Sequence, residues 1–84
     1  MKIEFYMARF ERLDYFIRTK STGTPKAFAK KMSLSERMLY RYLSYMKDLG
    51  APISFDREKM SYIYTDETEF SLQFDLLKQK FRNT

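Results

Sequence analysis

The residues best suited to chemistry are concentrated in "SERMLYRYLS", residues 35–44. Arg37 and Arg41 are four apart, so on a helix they leave the same face, with Tyr40 and Ser44 beside them. A guanidinium presents a planar fork of N–H donors that fits the O6 and N7 edge of guanine, or two oxygens of a phosphate. The phenol and serine hydroxyls add contacts to bases or phosphates. Glu36 can accept from a cytosine amino group or cap the helix. Catalysis has much less to work with. The chain has no His and no Cys, which removes the commonest general base, the commonest metal ligand and the thiol nucleophile. Its only glycines are Gly23 and Gly50, too few and too far apart for a phosphate-cradling loop. Asp66, Glu67 and Glu69 crowd together, but a single acidic turn of this kind reads as solvated. No enzymatic activity, cofactor, metal or small-molecule ligand is expected.

Placing that arginine face requires a helix, and the surrounding sequence supplies its borders. "MARFERLDYFIRT" carries Phe10, Leu13, Phe16 and Ile17 at helical steps, with Arg9, Glu11, Arg12 and Arg18 elsewhere on the wheel. Upstream, "KIEF" is compatible with a short strand or with an early turn of this first helix. "STGT" ends it, and Thr24 before Pro25 signals a new start: an N-cap hydroxyl followed by a proline at the first helical position. The second helix is read as about Pro25 to Lys31, burying Phe28, Ala29 and Met32. "MSLS" is a break. Ser35 is the preferred N-cap of the third helix, and Ser33 with Glu36 offers an alternative capping box. That third helix spans about Glu36 to Leu49, with Leu39, Tyr42, Leu43, Met46 and Leu49 on one side and Arg37, Tyr40, Arg41 and Ser44 opposite. Gly50 and Pro52 stop it.

Beyond Pro52 the period changes to two. "PISFD" and "SYIYT", joined by the charged link "DREKM", read as a β-hairpin, with Ile53 and Phe55 on one face of the first strand, and Tyr62 and Tyr64 on one face of the second with Ile63 on the other. The remaining segment, residues 67–84, alternates like a strand at Phe70, Leu72 and Phe74, yet recurs like a helix at Phe70, Phe74, Leu77 and Phe81; helix is preferred. These apolar residues either cover the first helix or pair with another copy, and a homodimer through this tail is the reading adopted. The expected architecture is therefore mainly α with a small β-hairpin, one domain over residues 1–66 and a C-terminal tail.

Charge supports a polyanionic partner. Residues 1–50 hold eleven Lys and Arg against five acids, whereas residues 51–84 hold five against six. No apolar run approaches the roughly 20 residues needed to span a bilayer, and Glu4 and Glu11 interrupt the start, so a cytoplasmic protein is the simplest reading.

Helix, short helix, turn, longer helix and hairpin is the order of a winged helix-turn-helix domain. The residues resemble the DeoR-like HTH type 11 domains, found at the N-terminus of WYL-type transcriptional regulators and related to the biotin repressor's DNA-binding domain. Thr24 stands before the second helix, and Ser35 takes the turn serine. Arg37, Leu39, Tyr40, Arg41 and Leu43 match the recognition segment. Gly50, Pro52 and Ile53 match the following strand, and Tyr62 the wing tyrosine. The likeness covers about residues 9 to 65. It departs at Ser33, where the family has glycine, and at Tyr42, where it has an acidic residue. No effector domain follows, so ligand sensing is not expected.

The resemblance implies a regulator that inserts the third helix into the major groove of double-stranded DNA. Arg37, Tyr40 and Arg41 would read bases, with Ser44, Glu36 and Ser35 close by. Lys26 and Lys30, extended by Lys31, would anchor phosphates from the second helix, and Arg57 and Lys59 would do so from the wing. The alternative is a winged helix used for protein–protein contact, since fold alone does not fix function. Single-strand stacking on Tyr45, Tyr62 and Tyr64 is a further possibility, but their periodicity favours core packing.

Overall fold

The structure, a computed structural model, describes residues 3–66. Three helices are followed by a hairpin: α1 Ile3–Arg18, α2 Pro25–Met32, α3 Glu36–Asp48, β1 Ile53–Asp56 and β2 Ser61–Tyr64. Residues 3–5 of "KIEF" belong to the first turn of α1 rather than to a strand. The expectations for the tail, helical form and dimerisation alike, concern residues outside the described ones.

Each helix begins and ends for a local reason. Thr24 caps α2, its Oγ1 accepting from the Ala27 N–H at 3.2 Å, with Pro25 in the first turn. Ser35 caps α3 by accepting from the Met38 N–H at 3.1 Å, so the Ser33 capping box is not used. Ser33 instead terminates α2 in the left-handed region at φ 57°. That conformation brings the Leu34 N–H back to the Ala29 carbonyl at 2.9 Å. Gly50, φ 101°, does the same for α3, with the Ala51 N–H on the Met46 carbonyl at 3.0 Å. Because α3 ends at Asp48, Leu49 is its cap residue and is 38% exposed. The expectation that Leu49 joins the buried stripe is therefore corrected: it stands at the C-terminal cap, beyond the core-packed Met46, and stays partly open to solvent.

The hairpin is antiparallel, pairing Ile53 with Tyr64 and Phe55 with Tyr62, so these four side chains share one face. Asp56 shapes the loop by accepting from the Glu58 and Lys59 N–H groups at 2.9 and 3.2 Å. One core results. Leu13 and Ile17 of α1, Phe28, Ala29 and Met32 of α2, and Leu39, Tyr42, Leu43 and Met46 of α3 pack with Ala51, Ile53, Tyr62 and Tyr64. Phe28 meets Phe16 edge to face and lies tilted against Tyr62, linking α1, α2 and the hairpin.

Two buried polar clusters fix the hairpin against the helices. The Tyr64 hydroxyl donates to Asp14 Oδ1 at 2.7 Å, while the Arg18 Nε donates to Oδ2 at 2.8 Å. Asp14 is thus buried with both carboxylate oxygens satisfied. The second cluster pairs Thr22, in the α1–α2 loop, with Ser61 at the start of β2. The Thr22 Oγ1 accepts from the Tyr62 N–H at 2.8 Å, and the Ser61 Oγ accepts from the Thr22 N–H at 3.1 Å.

Candidate nucleic-acid interface

The rotation of α3 is set by what it buries. Leu39, Tyr42, Leu43 and Met46 lie in the core, which forces Arg37, Tyr40, Arg41 and Ser44 outward on the opposite side, all exposed. Met38 and Tyr45 flank this face and are also exposed. Glu36 occupies the first turn, where its charge complements the helix dipole. The Ser35 hydroxyl is committed to capping, so its part in the face is to begin α3 at the right residue.

The basic residues divide into two groups. Lys26 and Lys30 on α2, Arg57 and Lys59 in the hairpin loop, and Arg37 and Arg41 on α3 are all exposed. None of these six is ion-paired among the described residues. Lys31 differs. Its Nζ donates to the Ser21 carbonyl at 2.6 Å and stands 5.7 Å from the Phe16 ring centre, so it ties α2 to the α1–α2 loop while remaining exposed.

Tyr40 lies close enough to Tyr62 of the hairpin to act on it electrostatically. Burial pushes the Tyr62 phenol above its ordinary pKa of 10.0, and the neighbouring Tyr40 phenol adds to the shift. The α3 face and the hairpin's inner tyrosine are therefore electrostatic neighbours. At Tyr42, where the resemblance leads one to expect a carboxylate, the hydroxyl takes a long 3.5 Å contact from Arg9. The Arg9 guanidinium also lies 4.4 Å from the Phe5 ring centre. An arginine–hydroxyl–aromatic set thus occupies this position of the α1–α3 contact.

Two anchoring clusters escaped the sequence reading. Asp14 and Arg18 have the i, i+4 spacing that signals a pair, but nothing local marks Tyr64 as their third member. Thr22 and Ser61, 39 residues apart, carry no signal at all.

Among the described residues no group of three or more acidic side chains gathers to hold a metal, and no helix is long and apolar enough to cross a membrane. The chain matches no protein-family model, no curated protein and no solved structure.

Proposed function

We propose that the protein is a winged helix-turn-helix DNA-binding regulator that lays α3 in the major groove. The observation that carries this reading is the pairing of a core-locked back, Leu39, Tyr42, Leu43 and Met46, with an exposed Arg37–Arg41 front that has no ion pair among the described residues. In this reading Arg37 and Arg41 contact guanine edges or phosphates, and Tyr40 and Ser44 give hydroxyl contacts between them. Lys26 and Lys30 neutralise phosphates beside α2, and Arg57 and Lys59 do so from the hairpin loop. Glu36 sits where it can accept from cytosine.

The test is a selection of bound sequences from random duplex DNA, followed by titration of the enriched site at several salt concentrations. If all six cations reach phosphate, log K falls against log[salt] with a slope of about −5, at roughly 0.9 per contact. The double variant Arg37→Glu, Arg41→Glu should abolish binding with its melting temperature preserved, since both residues are exposed. No enriched sequence and no salt-sensitive duplex binding would instead support a protein-contact module, for which the exposed Met38, Tyr40 and Tyr45 offer apolar surface.

A further inference from the structure

The outer face of α3 changes character along its length. Arg37 and Arg41 occupy its first two turns, whereas Asp48, four residues beyond Ser44, puts a negative charge at the far end. A polyanion is therefore favoured at the N-terminal half of the helix. That half has two unlike borders. Tyr40 stands on the hairpin side, close enough to act on Tyr62. Met38 stands on the α1 side, in one row with Arg41 and Tyr45 at steps of three and four, and the Tyr45 ring centre lies 5.5 Å from that of Phe10 on α1. Met38 is 37% exposed, and among the described residues it belongs neither to the core nor to the side chains packed against it. Its backbone N–H, not its side chain, serves the Ser35 cap.

A methionine beside a groove-reading arginine is chemically selective. Its side chain has no charge and no N–H, so it gains little from phosphate. Pressed against a polar base edge, it would strip water from that edge and return no hydrogen bond. The major-groove edges of the base pairs present nitrogen and oxygen groups, with one apolar exception, the 5-methyl group of thymine. Methylation of cytosine at C5 puts the same group in the same place. Arg37 and Arg41 are about 6 Å apart along the axis, at roughly 1.5 Å per residue, which is nearly two base steps of about 3.4 Å. Met38 lies at a level between them.

We infer that Met38 is a specificity-determining residue that reads the 5-methyl group of a pyrimidine, within about two base steps of a guanine held by Arg37 or Arg41. This role rests on α3 lying in the major groove, as proposed above, and names the chemical group that groove must present. Met38 acts through apolar burial, so its share of the affinity is insensitive to salt, in contrast with that of the arginines.

The duplex enriched from random DNA is remade with each thymine in turn replaced by deoxyuridine, which deletes the methyl group and leaves the pairing unchanged. Binding by the full chain should weaken about fourfold at one or two positions, the worth of one buried methyl. Met38→Ala should bind the two forms alike, while Met38→Leu, which keeps a branched apolar side chain, should still tell them apart. Both variants leave the backbone-borne cap in place, and circular dichroism verifies that they fold. Duplexes with cytosine or 5-methylcytosine at the sensitive position identify the source of the methyl group. Tighter binding of the methylated form extends recognition to modified cytosine, and equal binding confines it to thymine. Salt-sensitive duplex binding that responds to neither exchange at any position overturns the role of Met38 and leaves the placement of α3 standing. A methyl effect undiminished in Met38→Ala does the same. Absence of salt-sensitive duplex binding removes both.

Discussion

Among single residues, the buried hydroxyls separate hydrogen bonding from packing. Thr22 is completely buried, and its oxygen is the acceptor for the Tyr62 N–H. Thr22→Val keeps the shape but leaves that N–H unsatisfied, and should cost about 1–3 kcal/mol in urea unfolding. Thr22→Ser retains the oxygen and should cost only about 0.8 kcal/mol for the lost methyl. Similar costs for the two variants would show that packing, not hydrogen bonding, matters at this site. Tyr62 gives stability a pH signature. Its folded pKa lies above the unfolded value near 10.0, so the folded state holds the phenolic proton more tightly. That contribution is complete below pH 10 and disappears as pH rises through the folded value. Stability should therefore fall on the alkaline side of pH 10, and Tyr62→Phe should flatten the fall in thermal melts recorded between pH 8 and 12.

At the level of elements, chain-end chemistry decides where helices stop, and it accounts for what was legible beforehand. The caps Thr24 and Ser35, the buried triplet Phe28, Ala29 and Met32, and the hairpin's inward set all follow from residues within a few positions of one another. The outer face of α3 followed from the same short-range period. What was not legible depends on distant partners or on a residue acting against type. Ser33 adopts φ 57° without being glycine, and the exposed Lys31 reaches across to the Ser21 carbonyl. A positive φ costs an L-residue roughly 1–2 kcal/mol, partly offset in glycine by greater freedom of the unfolded chain. Ser33→Gly should thus stabilise the fold by up to about 1 kcal/mol, whereas Ser35→Ala should destabilise it by about 1 kcal/mol through loss of the α3 cap. Gly23→Ala should destabilise too, because φ is 73° and the new Cβ would stand 3.1 Å from that of Ala27. Equilibrium denaturation of the three variants checks the signs.

For the whole molecule, the division of labour is spatial. The core fixes α3 by its back, the hairpin leans on α1 through Tyr64 and Asp14, and the six exposed cations without an ion pair among the described residues are spread over α2, α3 and the hairpin loop. If these cations act together on DNA, substituting any one by alanine should reduce the salt slope by about one contact's worth. Arg37 and Arg41 should in addition alter which sequences are bound, whereas Lys26, Lys30, Arg57 and Lys59 should weaken all sequences alike. Competition titrations against a randomised duplex separate the two kinds of effect.

The pairing of Thr22 with Ser61 also bears on the order of assembly. Helices α2 and α3 are joined by only three residues, 33–35, and their packing closes a short loop, while the Thr22–Ser61 bond must wait for 39 residues to come together. Docking of β2 is then a late event on the folding route, and its release is an early step of native opening. In native-state hydrogen exchange the Tyr62 amide should be released together with the Thr22 amide, in one cooperative step, even though the two lie at opposite ends of that span.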